Sequence, residues 1–179
     1  AVDRAGDATQ VLYPARGIDR KNLGEFLLLA ALAPAGTNFV SSLGPGASKF
    51  AQNYDFWCQC VRELSLPVTL AIGEEQSISR EQLIAESSHI VSSSVKEGFG
   101  LLFVESIAWR RPLFGRALPH VRDDLLRYGI DHPHLYDRIG CGDDDFATLG
   151  LAEKKQCILA AKNDPHKFWI ERKGEKSSA

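Results

Sequence analysis

The sequence predicts an α/β domain in which helices cover both faces of a mainly parallel sheet, a three-layer α/β/α arrangement. Three observations predict it. Short β-branched runs alternate with longer stretches of helical periodicity, most runs are apolar at nearly every position, and one helical stretch separates each run from the next. Strands that are apolar on both sides are typical of parallel sheets, because helices bury both faces.

The strands and helices follow one another along the first two thirds of the chain. The predicted strands are Gln10–Pro14, Asn38–Leu43, Pro67–Ile72, His89–Val95 and Pro112–Phe114. The predicted helices are Leu23–Leu32, Phe50–Leu64, Arg80–Ser87, Leu101–Arg110, Leu118–Tyr128 and Thr148–Asn163. Asn22 with Glu25 and Ser79 with Gln82 have the spacing of capping boxes, which mark helix starts. Residues 129–147 are rich in turn formers, and Pro165 ends the last helix.

Length and composition limit the class of protein. The 179 residues carry a net charge of −2, so binding to nucleic acid or to an anionic membrane through bulk charge is not expected. No apolar run is long enough for a membrane-spanning helix to be expected, and the first residues lack the basic and apolar regions typical of a signal peptide. The chain starts at Ala1 and contains no Met. These features are expected either of a piece excised from a longer protein or of a sequence from which modified residues have been omitted.

The predicted organisation is one compact domain with short ends. Residues 1–9 are interpreted as a polar leader or interdomain remnant, residues 10–165 as the domain, and residues 166–179 as a C-terminal tail that ends in a solvated KGEKSSA segment. The four cysteines (Cys58, Cys60, Cys141 and Cys157) do not have zinc-site spacing and are too few for a disulfide framework. Reduced thiols and a cytoplasmic protein are therefore expected. His132 and His134 are expected to be solvated.

Two strand-to-helix junctions carry residues suited to a ligand. The first, VLYPARGIDRKNLGEF, places Arg16, Gly17 and Lys21 between a strand and a helix. Two cations beside a helix N-terminus can neutralise a diphosphate. A solvated basic loop is the alternative interpretation.

The second junction is HIVSSSVKEGFGLLFVESIAWRRP, where a serine-rich strand end meets a glycine-rich turn and a helix. Gly98 and Gly100 let the backbone approach a ligand, and the following helix offers free N–H groups. Glu105 lies on an early turn and leans toward the helix start, where a carboxylate can accept hydrogen bonds from a vicinal diol such as ribose. Glu97 could accept from hydroxyls of a second sugar. The alternative is a glycine-rich turn with two exposed acids.

At these residues the sequence resembles the retaining glycosyltransferases of family 4 (glycosyl transferases group 1), which have the GT-B architecture. The paired acids E-x7-E match Glu97 and Glu105 within EGFGLLFVESIAWRRP. The phosphate element Gly-Arg-x-x-x-x-Lys resembles ARGIDRKN, with Ala15 where the family usually has Gly. The similarity covers about residues 10–115.

The resemblance implies the C-terminal, Rossmann-like donor-binding domain of a GT-B enzyme that transfers a hexosyl group from a nucleotide sugar. The donor would be a UDP-, GDP- or ADP-sugar, held as substrate without a metal or other cofactor. Arg16, Lys21 and Glu97 would be the catalytic residues, the cations stabilising the leaving diphosphate. Glu105 would hold the ribose. Gly17 and the backbone N–H groups of the turn would complete the donor site, the latter from Gly98, Phe99, Gly100 and Leu101.

The chain also departs from the family pattern. GRALPHVRDD stands where many members have a Gly-Gly-x-x-Glu loop, and GIDHPHLYDRIGCGDDD replaces a glycine-rich segment. The N-terminal domain that binds the acceptor sugar or small molecule is missing, so the isolated chain is expected to be inactive. Asp143-Asp144-Asp145 resembles a metal-binding DxD but is expected to be a solvated loop.

Other functions compete with this interpretation. A non-catalytic nucleotide-sugar-binding or scaffold module of the same fold is the main alternative, and half of a nucleotide-sugar epimerase is another. A dinucleotide oxidoreductase is disfavoured because no GxGxxG follows the first strand. Nucleic-acid binding lacks a clustered basic and aromatic stripe, and nothing in this chain indicates membrane association.

Overall fold

The computed structural model describes residues 9–172 and the backbone of residues 175–178. The polar leader predicted for residues 1–9 lies outside this range, except for Thr9, which begins the first strand. Every helix that the structure describes is too short or too polar to span a bilayer.

The centre of the fold is a six-stranded sheet in which every neighbouring pair is parallel. Its strands are β1 (Thr9–Arg16), β2 (Thr37–Leu43), β3 (Val68–Thr69), β4 (His89–Ser92), β5 (Leu113–Arg116) and β6 (Leu135–Tyr136). Their order is β3-β2-β1-β4-β5-β6, so the direction of the winding reverses between β1 and β4. This is a Rossmann-like topology, and the predicted α/β class with a parallel sheet is confirmed.

Seven α-helices lie within the described residues: α1 (Leu23–Leu32), α2 (Ala51–Glu63), α3 (Ile72–Glu75), α4 (Arg80–Glu86), α5 (Leu101–Ala108), α6 (Pro119–Arg127) and α7 (Leu151–Asn163). They agree with the predicted helices, apart from α3. That short helix takes Ile72 from the predicted third strand, which the structure restricts to Val68–Thr69.

Two separate apolar cores show that the sheet is covered on both faces. Successive side chains of a strand point to opposite faces, and Leu12 and Tyr13 of β1 are both completely buried, one in each core. The core on the side of Tyr13 includes residues of α1, α2 and α7, whereas the core on the side of Leu12 includes residues of α4, α5 and α6. The three-layer arrangement is therefore confirmed.

A second sheet, which the sequence analysis missed, follows the first. It contains β7 (Arg138–Cys141), β8 (Asp144–Asp145), β9 (Phe168–Arg172) and β10 (Glu175–Ser178), all antiparallel, in the order β10-β9-β7-β8. The segment interpreted as a C-terminal tail contains β9, which belongs to the fold, because Phe168 is buried in the core and Trp169 packs over Gly140. The side chains of the final KGEKSSA segment lie outside the described residues.

The expectation of four reduced cysteines is also wrong. Cys141, at the end of β7, and Cys157, on α7, form a disulfide with their Cα atoms 6.4 Å apart. Because one cysteine lies on a strand and the other on a helix, the spacing of Cys141 and Cys157 in the sequence does not indicate that they pair. Cys58 and Cys60 remain thiols. The prediction of a cytoplasmic protein consequently loses the support of fully reduced cysteines.

A buried charged network links α1, β5, β6 and β8. Glu25 is fully buried and accepts hydrogen bonds from Arg116 Nε and Nη2 (3.0 and 2.6 Å), from the Tyr136 hydroxyl (2.7 Å) and from Asn22 Nδ2 (2.9 Å). Arg116 also donates to both carboxylate oxygens of Asp145 at 3.1 and 2.9 Å. The predicted solvated Asp143–Asp145 loop is therefore wrong for Asp145.

One of the two predicted capping boxes is half formed, because its N-cap side chain caps the helix but the Gln82 side chain donates to Glu86 instead of returning to the cap. Ser79 Oγ accepts from the backbone N–H of Gln82 at 3.1 Å, as expected. Asn22 precedes α1, but its side chain makes no capping hydrogen bond and instead donates to the Glu25 carboxylate. The predicted start of α1 is confirmed, whereas its predicted cap is wrong because Glu25 is turned into the buried network.

Candidate functional site

The two junctions singled out in the sequence meet at the carboxyl edge of the main sheet. β1 and β4 are neighbours, with Val11 opposite His89 and Leu12 opposite Ile90. The loops that follow them are joined by hydrogen bonds: Val95 N–H donates to the Arg20 carbonyl at 3.0 Å. Ser93 Oγ lies 3.0 Å from the carbonyl oxygens of both Lys21 and Asn22. In parallel sheets, ligands bind at this edge, where the strand order reverses.

A cleft of about 480 Å³ opens between these loops. Its lining contains most of the residues proposed from sequence, together with several that were not. The lining residues are Pro14, Ala15, Arg20, Lys21, Arg80, Lys96, Glu97, Gly98, Phe99, Gly100, Leu101, Leu102 and Glu105.

Glu97 is the most strongly paired group in the cleft. It forms ion pairs with Lys21 and, at 3.0 Å, with Arg20 Nη1. Burial favours a raised pKa for the Glu97 carboxyl, but hydrogen bonds from Lys21 and Ser94 and the charges of Lys21 and Arg20 outweigh it, so its pKa is lowered. His120 Nε2 lies 3.1 Å from the Glu97 carbonyl oxygen. The carboxylate is thus held ionised beside two cations.

The glycine-rich turn delivers the N-terminal end of α5 to the cleft. Gly100 has a φ of 61°, a left-handed conformation that favours glycine, and a Cβ there would collide with Val121. A Cβ on Gly98 would instead project into open space. Phe99 is 91% exposed, so the turn is open to a ligand. The first N–H groups of a helix have no partners within it, and the positive end of the helix dipole lies there.

Glu105 lies on the same helix and also lines the cleft. Its two carboxylate oxygens accept hydrogen bonds from Arg80 Nη2 at 2.7 Å and Arg80 Nη1 at 3.4 Å. The Arg80 guanidinium lies over the Trp109 ring, 4.8 Å from its centroid. Glu105 therefore has an ordered position while 36% of its side chain stays exposed.

Arg16 and Gly17 are placed elsewhere. Neither Arg16 nor Gly17 is among the described residues that line the cleft. Arg16 Nη1 lies 3.5 Å from a carboxylate oxygen of Glu74, and the arginine side chain packs over Gly46. Gly17 packs against Tyr54 and borders a separate cavity of about 130 Å³. The structure thus brings Lys21 together with Glu97, the turn and Glu105, but not with Arg16.

Sequence reasoning missed three cations of the cleft. Arg20 directly precedes Lys21, and Lys96 directly precedes Glu97, so the sequence already placed both cations next to predicted site residues. Arg80 comes from α4 and had no signal in either junction. Four cations and two carboxylates line the cleft, which gives it a formal charge of +2. Within residues 9–172, no three His, Cys, Asp or Glu side chains cluster so that they could hold a metal ion.

The sequence matches no protein-family model and no curated protein. Its fold is nevertheless similar to solved GT-B glycosyltransferases. Sucrose-phosphate synthase from Thermosynechococcus elongatus is 20% identical, with a TM-score of 0.55 over 89% of this chain and 37% of that one. The lipopolysaccharide outer core galactosyltransferase WaaB is 16% identical, with a TM-score of 0.53 over 89% of this chain and 42% of that one.

A third similar structure is described as trehalose-6-phosphate from E. coli bound with UDP-2-fluoro glucose. It is 15% identical, with a TM-score of 0.51 over 88% of this chain and 40% of that one. At such identities the similarity shows the fold. The chain has the fold of one domain of a GT-B glycosyltransferase and spans about two fifths of the length of these three structures.

Proposed function

We propose that this chain is the donor-binding domain of a sugar-nucleotide-dependent, retaining glycosyltransferase. The observation that carries the proposal is the convergence of Lys21, Glu97, the N-terminal end of α5 and Glu105 on one cleft at the carboxyl edge of the sheet. Cations and helix N–H groups suit a diphosphate, and carboxylates suit sugar hydroxyls. A nucleotide sugar contains both.

In this proposal the diphosphate lies between the start of α5 and the cations of the β1–α1 loop. Lys21 and Arg20 neutralise its charge and the further charge that develops on the leaving nucleotide, which is the stage where preorganised cations lower the barrier most. We assign this role to Arg20 rather than Arg16, because Arg20 lines the cleft whereas Arg16 pairs with Glu74. The proposed chemistry relies on these side chains and not on a metal.

The two carboxylates have separate proposed roles. Glu105 accepts hydrogen bonds from the ribose hydroxyls, and Glu97, with the N–H groups of the turn from Gly98 to Leu101, positions the transferred hexose and the β-phosphate. The similar E. coli structure bound with UDP-2-fluoro glucose supports this class of donor. Because the chain spans only part of the proteins it resembles, we propose that a further domain supplies the acceptor site and that the isolated chain does not transfer sugar.

Calorimetry of the chain with UDP, GDP and ADP, without added metal, tests the proposal. We expect one of the three to bind, and Glu105→Gln to weaken that binding about 10- to 100-fold, since hydrogen bonds to a charged group contribute about 1.5–3 kcal/mol. Glu81→Gln is the matched control: Glu81 is an exposed acid on α4 outside the cleft lining. Absence of binding at millimolar nucleotide, or equal affinities of the two variants, would refute the proposal.

A non-catalytic scaffold module is the second candidate. It is favoured by the ion pairs that already engage both carboxylates in the free chain, Glu97 with Lys21 and Glu105 with Arg80. In a scaffold, these pairs would occupy the carboxylates in place of a ligand. The same calorimetry separates the candidates, because a scaffold would bind none of the three nucleotides.

A further inference from the structure

We infer that Arg80 is a positioning residue that orients the Glu105 carboxylate for ribose and thereby sets the preference for a nucleotide with intact ribose hydroxyls. The inference rests on the proposed function and extends it to a residue outside both sequence junctions. It starts from the two-point contact between the guanidinium of Arg80 and the carboxylate of Glu105, 2.7 and 3.4 Å long.

The contact with Arg80 fixes the orientation of the Glu105 carboxylate as well as its position. A guanidinium is a planar fork, so two roughly parallel hydrogen bonds hold the carboxylate plane in one orientation, whereas a single ammonium would let it rotate. A carboxylate has about four acceptor sites. Arg80 uses one on each oxygen, which leaves the others for the two hydroxyls of a vicinal diol.

Arg80 is itself held from two sides. It is the first residue of α4, directly after the N-cap Ser79, whose side chain accepts from the Gln82 N–H. Its guanidinium also packs over the ring of Trp109. Trp109, the residue directly after α5, is four residues after Glu105, so it lies about one helical turn further along the same side. The stack of Trp109, Arg80 and Glu105 therefore ties α4 to α5 at the edge of the cleft.

Stability of the fold does not account for this arrangement. The Arg80 side chain is 47% exposed and that of Glu105 is 36% exposed. Ion pairs at such positions contribute little to folding. An ordered, forked contact on a carboxylate that borders the donor cleft instead serves the orientation of that carboxylate.

The experiment compares affinities for UDP and 2′,3′-dideoxy-UDP, and for the corresponding GDP and ADP pairs, by calorimetry on the full chain. In the unmodified protein we expect the ribose form of the preferred nucleotide to bind at least about tenfold more tightly than its dideoxy form. Arg80→Met should reduce this ratio about fivefold, because it should weaken binding of the ribose form about fivefold more than binding of the dideoxy form. Arg80→Lys, which keeps the charge but not the fork, should restore only part of the ratio.

Two further variants complete the design. Arg80→Met combined with Glu105→Gln should discriminate no less than Glu105→Gln alone, because Arg80 acts through that carboxylate. Arg127→Met is the control, an exposed arginine paired with Asp124 on α6. The midpoint of urea unfolding, expected to be unchanged in every variant, reports on folding.

The outcomes separate this inference from the proposed function. If Glu105→Gln abolishes discrimination while Arg80→Met retains it, the positioning role is wrong and the proposed function stands. If Arg80→Met binds the ribose form more tightly, Arg80 competes with ribose instead of orienting its acceptor, and the inference is overturned. If the unmodified chain binds none of the six nucleotides, both are refuted.

Discussion

Replacement of Arg116 by Met tests whether the buried network holds the fold together. The Arg116 side chain is 8% exposed and Glu25 is completely buried. The substitution removes both guanidinium hydrogen bonds to Glu25 and leaves the tyrosine hydroxyl of Tyr136 and the amide of Asn22 as neutral donors. Glu25 then carries a buried negative charge without its principal counterion.

The expected loss is large. Removing one partner of a buried ion pair costs about 3–5 kcal/mol, and two charged hydrogen bonds of about 1.5–3 kcal/mol each give a similar sum of about 3–6 kcal/mol. Asp145 adds little to this sum, because it is partly exposed and water can replace Arg116 there. Burial lowers the pKa of Arg116, but the charges and hydrogen bonds of Glu25 and Asp145 outweigh it and raise the pKa, so the loss should not depend on pH near neutrality.

Urea unfolding followed by tryptophan fluorescence measures the loss. With slopes of about 1–3 kcal/mol per molar urea, the midpoint should fall by roughly 1–5 M. Arg122→Met is the control: Arg122 pairs with Asp137 at 3.0 Å, but both side chains are about a quarter to a third exposed, 26% and 30%, so its loss should stay below about 1 kcal/mol. Equal losses in the two variants would refute the reasoning. Adding Glu25→Gln to Arg116→Met should recover stability, because it removes the unpaired charge.

Three further predictions concern the cleft and the second sheet. Arg20→Met should weaken binding of the preferred nucleoside diphosphate about 10- to 100-fold, whereas Arg16→Met should change it by less than about threefold; the reverse order in calorimetry would restore the assignment made from sequence. The lowered pKa of Glu97 means that its contribution to stability is present above the ordinary carboxyl pKa and is lost as pH falls through the lowered value. The free energy of unfolding of Glu97→Gln should therefore depend less on pH in acid than that of the unmodified chain, and parallel pH profiles would contradict this. Cys157→Ser should lower the free energy of unfolding by about 2–4 kcal/mol in non-reducing urea titrations, because it opens a link across 16 residues; a reductant should have no further effect on this variant.

The parallel sheet could be predicted because its signals are local. Each strand from β1 to β5 is a short apolar run, and the helices between them have apolar periodicity or a capping residue such as Ser79. The second sheet has no comparable signal. β7 and β9 pair across a separation that contains all of α7, and neither is an uninterrupted apolar run. Pairing of this kind depends on tertiary contacts that no local pattern encodes.

The site was predictable to the extent that adjacent strands determine it. β1 and β4 are neighbours, so Lys21 and the segment from Glu97 to Glu105 follow strands that end at one edge of the sheet. The direction of an individual side chain was not predictable. The pairing of β1 with β2 shifts register between Tyr13 and Arg16, and such an irregularity re-aims the side chains beside it. That shift accompanies the orientation of Arg16 toward Glu74 instead of the cleft.

The distribution of charge reconciles a nearly neutral chain with a proposed anionic ligand. The whole chain has a net charge of −2, whereas the cleft has a formal charge of +2. Within the cleft, Glu97 and Glu105 are each paired with arginine or lysine, so the carboxylates stay ordered before a ligand arrives. Since these pairs use only part of the hydrogen-bonding capacity of Arg20 and Arg80, the excess positive charge stays available to a diphosphate. Specific anion binding therefore needs only a local excess of cations at the sheet edge, which the composition of the chain does not reveal.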